Sequence, residues 1–179
     1  MSRLDILPVG GKWTSEPSTK WLSAQTIWVA TVDPVADIHE IQVGQTELAA
    51  AAMLALRPRW ESRRAVVELI DTRLRPAGYR LVGLFESEAG AAVSVIGFRP
   101  AWSSAWGQHL YVDDVSTLPE SRGHGYADLL IQWVVEEARR LNCEGVHLDS
   151  GVGPTRSAAH RLYLRNHFQI SAHHFELPI

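Results

Sequence analysis

From Ile38 onward the apolar positions fall into two kinds of segment, one repeating every second residue and one every three to four, and their order predicts the fold. Ile38, Glu40 and Gln42 alternate against His39, Ile41 and Val43 as a first strand. An alanine-rich run over 48–56 favours helix strongly and predicts one over about 45–57, ended by Pro58. A second helix over about 61–74 places Val66, Leu69 and Ile70 on one face before Pro76-Ala77-Gly78 stops it. A hairpin follows, with strands at 79–86 and 91–98, a turn at 87–90, and Pro100 closing it.

The next strand, 109–117, changes parity along its length. Leu110 and Val112 share one face, Val115 and Thr117 the other, which predicts a β-bulge near Asp113 and Asp114. Such a bulge would splay the strand from a neighbour and open a slot for an extended ligand. Leu129, Leu130, Trp133, Val134, Ala138 and Leu141 then mark a long helical face. A short strand at 146–149, a loop at 150–154, a helix at 156–166 and a closing strand at 168–177 complete the pattern. The order β-α-α-β-β-β-α-β-α-β, without an internal repeat, is that of an α/β or α+β sandwich on a mixed sheet.

Residues 1–36 differ from this. Pro8, Gly10, Gly11, Pro17 and Pro34 punctuate them, so they form an N-terminal extension, partly ordered, before a single domain at 37–179. Within it 26–32 could form a short strand, and Trp13, Trp21 and Trp28 could pin it to the body; a loosely ordered tail is the competing reading. The 179 residues suffice for one buried core, and 46% apolar with 21% charged residues is ordinary for a soluble globular chain. No apolar run is long enough to span a bilayer and the first residues lack the pattern of a signal peptide, so a cytoplasmic protein is expected. A formal charge of −3 gives no electrostatic reason to bind nucleic acid or anionic membrane. Cys143 is the only cysteine, which leaves no internal disulfide and no thiolate cluster. Eight histidines include His173-His174, but neighbours on a strand point to opposite faces and no metal-ligand spacing occurs, so no metal is expected.

Candidate chemistry centres on the turn Arg122-Gly123-His124-Gly125-Tyr126-Ala127, between a strand and a helix. Small residues there let a ligand approach backbone closely where the first helical amides are unpaired, which makes an anion site. The G-x-G-x-x-G dinucleotide pattern is not met, and no G-K-[ST] follows. The turn does match R/Q-x-x-G-x-G/A, with Arg122, Gly125 and Ala127 in place, and so resembles the pyrophosphate-binding motif of the GNAT superfamily of acyl-CoA-dependent N-acyltransferases. A second stretch, Ala159-His160-Arg161-Leu162-Tyr163 through Phe168, is similar to that family's A-x-x-[FL]-Y-x-x-x-G-F, with His167 in place of the glycine. The resemblance covers residues 38–179 and implies a mostly antiparallel mixed sheet flanked by helices.

It implies roles as well. Acetyl-CoA would be the co-substrate, its pantetheine arm held by the backbone of Val115, Ser116 and Thr117. Its pyrophosphate would lie on the turn at Arg122, Gly123, His124, Gly125, Tyr126 and Ala127, and Arg156 stands near where many members contact the cofactor. Tyr163 would protonate the leaving sulfur. Tyr111-Val112-Asp113-Asp114-Val115 resembles the Tyr-Leu-Glu-Asp-Leu stretch of polyamine-type members, which makes Asp113 the expected base, through a bridging water because Asp is a methylene short. Either aspartate could instead be a structural acceptor; strand parity argues against both lying in one site, but the expected bulge makes parity an unreliable guide there. Arg57, Arg59, Arg63 and Arg64 flank Trp60 and read as a solvated face or as a contact for an anionic acceptor. The expected reaction is acetyl transfer to a small primary amine. A non-catalytic acyl-CoA-binding protein and a protein N-terminal or lysine acetyltransferase are the alternatives. The exposed aromatics and closing strand are compatible with a homodimer.

Overall fold

The computed structural model describes residues 36–179, and the expectations for 1–35 lie outside them. Five strands form one sheet in the order β1-β2-β3-β4-β5: Asp37–Glu40, Arg80–Phe85, Ser94–Ser103, Gly107–Thr117 and Gly145–Leu148. The first four are antiparallel and β5 runs parallel to β4. α1 (Ala50–Leu56) and α2 (Arg63–Leu69) cover one face of this mixed sheet, and α3 (Tyr126–Arg140) and α4 (Ser157–Arg165) the other.

Each helix has a local reason to start or stop. Pro58 ends α1, and Ser62 caps α2 by accepting from the Ala65 amide at 3.2 Å. The second helical stretch continues through a π turn at Ile70–Leu74 and stops at Gly78, whose φ of 90° admits few other residues. Alternation divides the strand residues between two cores. Leu84, Ile96, Phe98, Leu110 and Val112 pack under α3, whereas Leu81, Phe85 and Val95 pack under α1 and α2.

The bulge falls where parity predicts it. Phe98 pairs with Val112 and Gly97 with Asp114, which leaves Asp113 as the extra residue. Two expectations fail. β3 does not close at Pro100 but runs to Ser103; β2 ends opposite Phe98, so this stretch lies on an edge, where a proline costs no ladder bond. The closing strand at 168–177 is absent, and Ile170, Phe175 and Leu177 are exposed. Phe168, Ile170 and Ala172 share one parity and Phe175 and Leu177 the other, so no single register buries them all. The tryptophans divide by setting: Trp133 packs near Phe98, Trp106 stacks on His147, and Trp102 is exposed.

Under α3 a buried carboxylate ties helix to sheet. Glu137 accepts from Arg80 at 2.5 Å and from Arg140 at 2.6 Å, while Arg80 also holds Glu40. The Arg140 hydrogen bonds, opposed by burial and joined by those of Arg80, lower the Glu137 pKa from 4.5 to about 2. A depressed carboxylate stabilises the fold above its unfolded value and loses that contribution as pH falls toward 2. Because Arg140 is exposed and solvent screens its share, the contribution is on the order of 2 kcal/mol. Glu137→Gln should therefore lower Tm at pH 7 and flatten its dependence between pH 4.5 and 2; thermal melts across that range check it.

Candidate active site

β4 and β5 pair only from His109 with Gly145 to Val112 with Leu148. Beyond Val112, β4 continues to Thr117 with no partner on that side, so the two strands part at the bulge. Along a strand, successive residues turn their peptide groups to alternate sides. The Leu118 amide donates to Val93 and the Ser116 carbonyl accepts from Ser94 Oγ at 3.1 Å, so both face β3. Val115 and Thr117 accordingly turn theirs to the open side. Ser116 is turned away from the gap, and its hydroxyl donates to the Ala52 carbonyl at 2.6 Å.

The open edge leads directly to the glycine turn. Gly125 caps α3 with φ 80°, Gly123 has φ 87°, and a Cβ on either would meet no atom within 4 Å. No side chain therefore crowds the turn at these two positions. Among the described residues the amides of Gly123, His124 and Gly125 make no backbone hydrogen bond. Arg122 is exposed and donates to the Thr117 carbonyl at 3.2 Å, and the His124 ring stacks on Tyr126, which is itself buried in the core. Asp128, in the first turn of α3, is matched by Arg165 and Asn166 at 2.6 and 2.7 Å. Burial works to raise its pKa, but these bonds overcome that and hold it below the ordinary value.

On the α1 and α2 side of the bulge lies a cavity of about 410 Å³, lined by both aspartates together with Arg57, Tyr79 and Arg99. Parity argued against two aspartates in one site; the bulge at Asp113 removes that restriction. Their partners separate their roles. Asp114 is buried and accepts from Arg57 Nε at 2.9 Å and from the Tyr79 hydroxyl at 2.9 Å. Burial first, and then the Asp114 charge, push the Tyr79 phenol well above its usual pKa. Gly97 makes room for this contact, since a Cβ there would lie 1.7 Å from the Tyr79 oxygen. Asp113 accepts from Arg99 at 3.1 Å through Oδ1 only, and its Oδ2 is buried without a hydrogen-bond partner. Burial, reinforced by Asp114, raises the Asp113 pKa against the pull of Arg99.

Tyr163 lies on α4, on the other face of the sheet, and is not among the residues that line this cavity. Its ring is half-buried against Phe168, 5.9 Å between centroids, and among the described residues its hydroxyl has no hydrogen-bond partner. Burial raises its pKa, and the charges of Arg156 and Arg57 are near enough to oppose the rise. Arg57 also donates to the Asp113 carbonyl at 3.0 Å, so one guanidinium holds both Asp114 and the bulge. His167 ends α4 at φ 66°, and the Phe168 amide returns to the Tyr163 carbonyl at 3.0 Å, the closure a glycine usually supplies.

The arginine cluster divides. Arg63 and Arg64 are exposed, as a solvated face requires, whereas Arg57 and Arg59 line the cavity. Sequence reasoning missed Tyr79 and Arg99, and nothing local to either marks it. Among the described residues no group of three or more His, Cys, Asp or Glu could hold a metal ion, and no helix is long and apolar enough to cross a membrane.

Comparison with known proteins bears on the family and the fold. The model of the acetyltransferase (GNAT) family matches residues 37–168. A curated Bacillus subtilis (strain 168) protein, described as the uncharacterized N-acetyltransferase YhdJ, is 29% identical over 114 residues, covering 63% of this chain and 78% of its own. Among solved structures, a probable acetyltransferase superposes with a TM-score of 0.69 at 18% identity over 80% of this chain and 97% of its own. A ribosomal-protein-alanine N-acetyltransferase from Brucella melitensis biovar Abortus 2308 gives 0.67 at 15% identity, with 80% and 99% covered. At these identities the two structures bear on the fold alone.

Proposed function

The chain belongs to the acetyltransferase (GNAT) family, and from that premise we propose that it is an acetyl-CoA-dependent N-acetyltransferase acting directly on the primary amine of a small molecule. The observation that carries this reading is the parting of β4 from β5 beside a glycine-bearing helix entrance whose turn amides, among the described residues, make no backbone hydrogen bond. An extended arm can add to the open edge of β4 as another strand would, through the Val115 peptide groups and the Thr117 amide, the Thr117 carbonyl being held by Arg122. A pyrophosphate can take the amides at 123–125, at the positive end of the fifteen-residue helix α3.

When bound, acetyl-CoA supplies an activated acetyl carbonyl and a thiolate leaving group. The chain's own residues would manage the protons. Asp113 has a buried, unpaired oxygen and a raised pKa, which suit a base that must take a proton from an ammonium ion. Tyr163 has an unpartnered hydroxyl and stays protonated near neutral pH, which suits the acid that gives a proton to sulfur. A C–N bond forms, the C–S bond breaks, and one proton passes at each end. The cavity volume of about 410 Å³ favours a small acceptor over a folded chain.

Thiol release from acetyl-CoA with a panel of small amines, peptides and aminoglycosides tests the reading. Release that depends on a small primary amine is expected. Tight CoA binding without turnover on any acceptor would instead make this an acyl-CoA-binding protein.

A further inference from the structure

The charges that line the acceptor cavity do not balance. Three guanidinium groups and two carboxylates line it. Arg57 is matched by Asp114 at 2.8 Å and Arg99 by Asp113 at 3.1 Å. Arg59 is left over: it lies over the Trp60 ring, 5.0 Å from its centroid, and among the described residues it meets no carboxylate. Arg59 is exposed, whereas Asp114 and Tyr79 are buried, so the unmatched cation stands toward solvent and the fixed network toward the interior. Between them the walls are apolar, formed by Met53, Val66, Leu69, Ile70 and Leu74.

The turn that presents Arg59 is sharply set. Pro58 opens it, Glu61 closes it at φ 60°, and the Glu61 amide returns to the Pro58 carbonyl at 3.0 Å. Arg59 and Trp60 are thereby held beside the cavity by backbone, not by a long flexible loop.

Charge decides which amines suit such a cavity. A simple ammonium ion entering it would add to an existing excess of one positive charge. A diamine or polyamine would add more, at a cost that the apolar walls increase by lowering the local dielectric. An acceptor that also carries a carboxylate adds no net charge and gives Arg59 the partner it lacks, in the forked geometry a guanidinium favours. The geometry points to a primary amine bearing a carboxylate and an apolar body, an amino acid in the broad sense, as the acceptor class, with Arg59 as the residue that selects for it. This deepens the N-acetyltransferase reading and rests on it.

Matched pairs separate the two. Thiol release from acetyl-CoA is measured with phenylalanine against phenylalaninamide, 6-aminohexanoate against 6-aminohexanamide, and 1,6-diaminohexane. Wild type should prefer each acid over its amide in kcat/KM and turn over the diamine least. In Arg59→Gln the acid-to-amide ratio should fall about tenfold, the worth of one charge-assisted hydrogen bond. Arg59→Lys should restore part of it and Arg59→Glu should favour the diamine. Because each ratio is taken on one protein sample, a partly unfolded variant does not distort it. Turnover that ignores the carboxylate, or a ratio unmoved in Arg59→Gln, overturns this inference and leaves the transferase standing. No release on any amine removes both.

Discussion

Replacing Tyr163 by phenylalanine should lower kcat about a hundredfold while leaving CoA affinity within about twofold. General acids contribute roughly 10²–10⁴ in rate, and a thiolate is a good enough leaving group to place this one at the lower end. A hundredfold loss corresponds to about 2.7 kcal/mol of barrier. The substitution is clean because the parts of Tyr163 that hold the fold are retained. Its ring packs on Phe168 and the α3 core, whereas the hydroxyl has no partner among the described residues. A structural tyrosine would show the opposite, a satisfied hydroxyl whose loss costs stability. Steady-state kinetics, a CoA titration and a thermal melt distinguish the cases. An unchanged kcat would remove Tyr163 from proton delivery.

Why Tyr163 could be picked out from sequence and Tyr79 could not is a matter of range. Local order is written locally. Pro58, Ser62 and Gly78 punctuate the helices, and the parity change between Val112 and Val115 marks the bulge, because side-chain direction follows from counting residues. Tyr163 was legible because its neighbours to Phe168 carry a family pattern, and the turn at Gly125 for the same reason. The Tyr79–Asp114–Arg57 network joins residues 35 and 57 positions apart, through a gap that exists because Gly97 has no side chain. No periodicity records such a meeting. The arginines at 57–64 look alike as letters, yet the turn at Pro58–Trp60 sends two to a cavity and two to solvent. The closing strand at 168–177 was misread for a related reason. Alternation shows that a segment could be a strand, but not that a partner strand lies within reach with one register that buries it.

The adjacent aspartates give the sharpest separation of catalysis from folding. Asp113→Asn should lower kcat/KM by at least a hundredfold and move Tm little. The amide can still accept from Arg99 through its oxygen, but it cannot take a proton from an ammonium ion. Because burial raises the Asp113 pKa, wild-type kcat/KM should decline, as pH falls, above the range ordinary for an aspartate; in Asp113→Asn that limb should be missing. Asp114→Asn should do the reverse. It removes the charge that Arg57 meets at 2.8 Å and upsets a buried bond to Tyr79, so a loss on the order of 3 kcal/mol in unfolding free energy is expected. Activity would fall only as far as the bulge relaxes, since Arg57 also holds the Asp113 carbonyl. Denaturant melts and pH–rate profiles on the two variants check both halves. If Asp114→Asn proved the stable, inactive variant and Asp113→Asn the unstable one, the base would be Asp114, and the unpaired Asp113 oxygen would have to be explained by packing.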